Sequence, residues 1–179
     1  MSSKTIFLCA GHHNNDSGAI GIDGVKESDL TKELRDLIAS ELGDGVWLDS
    51  DGDHLSQVVM KIVSLSKEED IVCDLHFNAY DSPSACGCEV IVANKARDVE
   101  CELAQKLVDK ISEVLGIKNR GVKTESDSHR GQLAMMRPKG INVLIEVCFI
   151  TNENDLKSYL ANKDKLASSI AEILKEYAV

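Results

Sequence analysis

A chain of 179 residues, 43% apolar and 28% charged, is long enough to bury a core as one domain. Its 30 acidic and 20 basic side chains leave a formal charge of −10, which excludes the basic face of a nucleic-acid binder and attachment to an anionic surface by charge alone. No apolar run reaches the ~18 residues of a membrane span, and the short run after Lys4 is no secretory signal. The expectation is therefore a chain made in the cytoplasm, or one whose leader has been removed.

Apolar periodicity then alternates strand and helix. Thr5–Ala10 reads as a buried strand stopped by Gly11. Leu30, Leu34, Leu37, Ile38 and Leu42 mark one stripe of a helix ending at Gly43, and Val46–Leu48 reads as a small strand. Leu55, Val58, Val59, Ile62 and Val63 give a second helix, followed by strands at Ile71–Phe77 and Cys88–Ala93. A long helix runs through Val99, Leu103, Leu107, Ile111 and Val114 to Gly116. Strands are expected at Gln132–Met136 and Asn142–Ile150, and a terminal helix carries Leu166, Ile170, Ile173 and Leu174. Such alternation predicts an α/β domain: a mostly parallel twisted central sheet flanked by helices on both faces. Pro83 with its serines marks one loop, and Thr124–Arg130 marks a longer polar one.

The six cysteines do not space like a disulfide set. Cys9, Cys73 and Cys148 lie inside apolar runs, where a thiol packs as a small hydrophobe, and all six are expected to be reduced. Cys73 and His76 are three apart on a strand and point to opposite faces, so they cannot share a metal. Cys86 and Cys88 lack a second pair at zinc-ribbon spacing. The glycines at 18, 21 and 24 do not spell a dinucleotide-binding fingerprint, and no HExxH or GxSxG occurs.

Polar residues stand where a packed sheet should refuse them. Glu146 lies inside VLIEVCFI, where a carboxylate costs several kcal/mol unless paired, protonated or used. His76 sits near the end of IVCDLHFNA, and His12 follows the first strand directly after Gly11. Ligands gather at the carboxyl ends of strands in open α/β sheets, so the two imidazoles can converge. Glu27 opens the first helix after a glycine-rich connection that returns the chain to that edge. Two histidines and one glutamate match a catalytic zinc ligand set, although such trios also arise by chance.

Three segments, in order, resemble the zinc-dependent N-acetylmuramoyl-L-alanine amidases of bacterial cell walls and phage endolysins. They are Gly11-His12 with Gly18-Ala19 and Glu27; Asp74-Leu75-His76-Phe77-Asn78-Ala79; and Leu144-Ile145-Glu146-Val147-Cys148-Phe149-Ile150-Thr151-Asn152. Arg120-Gly121-Val122-Lys123 resembles a further family stretch. The sequence departs from the family at His13-Asn14, where Gly-Gly is usual, at Asp74 for serine and at Cys148 for glycine. The resemblance implies that residues 1–179 are one catalytic domain without a wall-binding module. It implies Zn2+ held by His12, Glu27 and His76, with His13 as the alternative first ligand, and Glu146 as the catalytic carboxylate. The implied substrate is peptidoglycan, cut between N-acetylmuramic acid and L-alanine, as by a phage-type endolysin acting on the wall after release. A zinc peptidase of the stem peptide and a non-catalytic wall-binding domain are the alternatives. Asp74 either orients a ligand or meets solvent at the sheet edge. Asn78 is a substrate contact or a turn former. His129, in the polar loop, is an oxyanion or stem-peptide contact or a plain surface residue; His13 and His54 are read as surface, and Arg130 and Arg137 as carboxylate contacts or ordinary surface arginines. Neither nucleic acid nor membrane is expected as a partner, and oligomeric state is left open.

Overall fold

A computed structural model of the protein describes residues 4–128 and 131–179; the candidates His129 and Arg130 lie outside the described residues. The elements follow the order β1 (Ile6–Ala10), α1 (Glu27–Leu42), β2 (Val46–Leu48), α2 (Leu55–Leu65), β3 (Ile71–Asn78), β4 (Cys88–Val92), α3 (Asp98–Leu115), β5 (Asn119–Thr124), β6 (Ile141–Phe149) and α4 (Glu153–Tyr177). The strands form one sheet of order β2-β1-β3-β6-β4-β5. Every pairing is parallel except β4 with β6. This is the mostly parallel α/β sheet that the alternation of apolar periods predicts.

The two faces are covered unequally. On one, Ile6 and Leu8 of β1, Cys73 and Leu75 of β3, and Val143 and Ile145 of β6 pack against the apolar stripes of α1, α3 and α4. Leu34, Ile38, Leu107 and Ile111 are wholly removed from solvent there, each worth roughly 1.5–3 kcal/mol of burial. On the other, Phe7, Cys9 and Val72 meet Val58, Val59 and Ile62 of α2 and Met135, with Trp47 and Ala134 packed alongside. The thinner layer leaves the carboxyl ends of β1 and β3 uncovered on that side, and a cleft opens there.

Local sequence explains where elements stop. Helix α1 ends at Gly43, whose φ of 75° suits glycine. Helix α4 begins where the Asn152 side chain accepts the Asp155 N–H at 3.0 Å. In β6 the pairing with β3 slips between His76 and Asn78, which face Glu146 and Phe149. The extra residue on β6 makes a bulge, and both Val147 and Cys148 turn into the core.

Two sequence expectations need correction. Gln132–Met136 is not a strand; Ala134–Met136 forms a single 3-10 turn with Met135 buried beneath α2. A short apolar run without β-branched residues carries no period long enough to fix its type. Conversely, β5 was not expected as a strand. It is an edge strand, half-buried, broken by Gly121 and rich in polar side chains, so it lacks the apolar alternation that marks an inner strand. The six cysteines are unbonded, and four of them, Cys9, Cys73, Cys88 and Cys148, are buried. Among the described residues no helix is long and apolar enough to cross a membrane.

Candidate metal centre and active site

The end of β1 delivers His12. The Gly11 N–H donates to the Leu75 carbonyl at 2.8 Å, and the Thr31 hydroxyl donates to the Gly11 carbonyl at 2.8 Å, which pins this turn between β3 and α1. A Cβ on Gly11 would overlap the His76 ring, so the two side chains can approach only because residue 11 has none. His12 itself adopts a left-handed backbone with φ of 70°, a conformation that costs a non-glycine residue roughly 1–2 kcal/mol. Its Nδ1 lies 2.9 Å from the Asp16 carboxylate.

Glu27 is brought back by the glycine-rich connection. The Gly21 N–H donates to Val25 O at 2.7 Å, the Ile22 N–H to Ile150 O at 3.1 Å, and the Glu27 N–H to Ala19 O at 2.9 Å. The carboxylate then has a defined pose at the first turn of α1, where the helix dipole favours negative charge. One oxygen accepts the Ala19 N–H at 2.9 Å and lies 3.0 Å from His12 Nε2. The other accepts the Phe77 N–H at 3.0 Å and lies 3.0 Å from His76 Nδ1. Glu27 thereby bridges both imidazoles while only 3% exposed.

His12, Glu27 and His76 can each offer a ligand atom, all within 4.8 Å of one another, and form a candidate metal site. The 3.0 Å contacts from Glu27 to each ring nitrogen approach the ~3.3 Å edge of a tetrahedron with bonds near 2.0 Å. A set of two imidazoles and one carboxylate suits zinc. His13, the alternative first ligand, is not part of this group; its Nε2 faces His54 Nδ1 at 3.2 Å.

Charge in the cluster is strongly coupled. Burial pushes the Glu27 carboxyl up, but hydrogen bonds from His12 and His76 outweigh it and hold that carboxyl well below the usual range. Burial pulls His76 down, yet the charge of Asp74, hydrogen bonds to Asp74 and Glu27, and the charge of Glu146 lift it well above an ordinary imidazole. His12 is likewise raised: its bonds to Glu27 and Asp16 overcome burial. The protein places a concentrated negative field around two imidazoles, which is what a divalent cation would neutralise.

Glu146, on β6, is fully buried and is the register partner of His76 on β3 and of Glu89 on β4. Paired residues project from the same face of a sheet, so Glu146 stands in a row between His76 and Glu89. Asn78 does not form a turn. It ends β3, and its Nδ2 donates to Glu89 Oε1 at 3.1 Å, while Arg120 Nε donates to Glu89 Oε2 at 2.8 Å. Sequence reading missed Glu89, because its partner Arg120 lies on the unexpected edge strand. It also missed Asp16, whose only signal is a carboxylate in the turn after His12. Asp74 is buried, not at a solvent-exposed edge, and its carboxylate lies 3.2 Å from His76 Nε2. Arg137 is exposed. Beside the metal site a cleft of about 240 Å³ runs along the thinly covered face, lined by His12, His76, Asp74, Leu55, Met135 and Leu144 among others.

The chain is similar to several known proteins. LytC, an N-acetylmuramoyl-L-alanine amidase of Bacillus subtilis (strain 168), is 30% identical over 179 residues, covering 93% of this chain and 34% of LytC. The chain thus spans about a third of that relative's length. The endolysin of Bacillus phage SPP1 is 26% identical over 95% of this chain and 63% of its own length. The crystal structure of an N-acetylmuramoyl-L-alanine amidase from Clostridium difficile 630 shares the fold, with a TM-score of 0.83 at 22% identity, covering 99% of this chain and 97% of that one. A family model described as N-acetylmuramoyl-L-alanine amidase matches residues 6–176, nearly the whole sheet and its helices, and the chain belongs to that family.

Proposed function

We propose that the chain is a zinc-dependent hydrolase of peptidoglycan that cuts the amide bond between N-acetylmuramic acid and L-alanine. The observation that carries this reading is the convergence of His12, Glu27 and His76 on one point beside Glu146. Family membership supplies the bond and the substrate. His12 Nε2, His76 Nδ1 and a Glu27 oxygen would hold the metal. Bound there, zinc supplies Lewis-acid chemistry, polarising the scissile carbonyl and activating water.

The remaining steps belong to the chain's own side chains. Glu146 accepts the proton of the attacking water and passes it to the departing amine of L-alanine, so one carboxylate serves as base and then acid. Its burial beside His76, its register partner, supports this role. Glu27, clamped by two backbone N–H groups, is fixed as a ligand and is not available for proton transfer. The cleft along α2 receives substrate flanking the cut bond.

The test uses purified cell walls, with turbidity followed before chelation, after chelation and after zinc is restored. The expected product is an intact stem peptide with a free L-alanine N-terminus. Cleavage within the stem would instead favour a peptidase, and wall binding without any product would favour a non-catalytic domain. The likeness to the SPP1 endolysin supports a lytic role. That role is tested by whether added protein lyses intact cells.

A further inference from the structure

Strand β3 presents two polar side chains on its cleft side, Asp74 and His76, spaced so that both project from one face of the pleat. Asp74 is 4% exposed, and its register neighbours are Cys9 on β1 and Leu144 on β6. Neither neighbour compensates a buried carboxylate for lost hydration. The Asp74 carboxylate instead meets Nε2 of His76 at 3.2 Å, while the other ring nitrogen, Nδ1, faces Glu27 at 3.0 Å.

The two nitrogens of His76 therefore have divided duties. A neutral imidazole has one N–H and one lone pair. If Nδ1 directs its lone pair at a metal, Nε2 must carry the hydrogen, and Asp74 is placed to accept it. In the opposite tautomer a lone pair on Nε2 would face a carboxylate, acceptor against acceptor, and the ring would turn away. A carboxylate behind a ligand imidazole also strengthens its donor nitrogen. The Nδ1 of His12 has a corresponding partner in Asp16, but the Asp16 side chain is 52% exposed, where solvent competes for the same bond, whereas that of Asp74 is 5% exposed.

We propose that Asp74 is a positioning residue of the metal centre: by accepting the Nε2–H of His76 it fixes the ring orientation and the tautomer in which Nδ1 holds zinc. This rests on the reading of His76 as a zinc ligand.

The experiment titrates zinc into metal-free wild type, D74A, D74N and D16A in competition with a chromophoric chelator, and records each metal-free thermal transition. D74A is expected to lose on the order of 10- to 100-fold in zinc affinity. D74N keeps an acceptor oxygen and recovers part of that loss, whereas D74L, titrated alongside, fills the space without an acceptor and recovers none, which a merely space-filling role would not produce. D16A loses less than D74A. Wild-type affinity in D74A, or a D74N no better than D74A, overturns the assignment. Failure of the wild type to take up zinc overturns the ligand reading itself, and the proposal with it.

Discussion

His76 and Glu146 are register partners across β3 and β6, so a candidate ligand and a fully buried carboxylate share one face of the sheet at neighbouring positions. The two glutamates beside His76 are held differently. Glu27 is held by two backbone donors between the imidazoles, whereas Glu146 lies one strand over, beside His76 in the register.

Replacing Glu146 by glutamine therefore tests proton transfer without emptying the metal site. E146Q preserves volume and should lower hydrolysis of purified walls by roughly 10²- to 10⁴-fold, the usual contribution of a general acid–base group. Zinc content, read by elemental analysis, should match the wild type. Substantial residual activity would remove Glu146 from the chemistry.

The coupled shifts at the cluster set a pH dependence for the metal-free protein. The Glu27 carboxyl is held below its unfolded value, so its stabilising contribution is complete above an unfolded pKa near 4.3 and is lost as acid titrates the folded form. His12 and His76 are raised, so theirs is complete below about 6.5 and is lost as pH rises through the folded values. Without metal the cluster stabilises most between those limits. Zinc needs the imidazoles deprotonated at their ligating nitrogens, so its stabilising increment should grow from pH 5 to pH 8. Thermal unfolding with and without zinc across that range checks this; an increment that shrinks with pH would contradict it.

Gly18 offers a local test of how tightly the loop packs on the ligands. Its φ is +61°, and a Cβ there would lie 2.5 Å from His12 Cδ2 and 2.6 Å from Glu27 Oε2. G18A should both strain the backbone and push the two ligands apart, weakening zinc binding at least tenfold. Gly24 has a similar φ of +77° but nothing within 4 Å of the same position. G24A should therefore carry only the backbone cost, roughly 1–2 kcal/mol, with zinc affinity intact. Equal effects at the two glycines would mean that the ligands are not held by this packing.

Much of this was legible before any coordinates because inner elements announce themselves. The buried strands β1, β3 and β6 are apolar runs, and a histidine or glutamate within them stands out against its neighbours. The edge strand β5 gave no such contrast, since half-exposed positions tolerate Arg120, Lys123 and Thr124. Contacts made by turns were equally hidden. Nothing in the order of residues says that Asp16 folds back on His12, or that Asn78 spends its amide on Glu89. Asp74 was ambiguous for a further reason: period-2 alternation puts it on the face of His76, but only the cover of β1 and β6 shows that this face is buried there.

Arg35 is the remaining test, and it concerns the scaffold beneath the site. Its guanidinium is 5% exposed and reaches Asp49 at 3.1 Å and Asp51 at 2.8 Å, while Asp49 Oδ1 accepts the Ala10 N–H at 3.1 Å. This chain of contacts braces the last residue of β1, one step before Gly11 and His12. Burial lifts the Asp49 carboxyl above its usual range, and Arg35 offsets only part of that effect. R35M would leave a buried, uncompensated carboxylate, a change that typically costs about 3–5 kcal/mol. The loss should lessen at acid pH, where Asp49 becomes neutral, and R35M/D49N should recover much of it at neutral pH. Urea unfolding of the single and double variants at two pH values measures both effects. A double variant as unstable as R35M would show that Arg35 acts through its other carboxylate partners and not through Asp49.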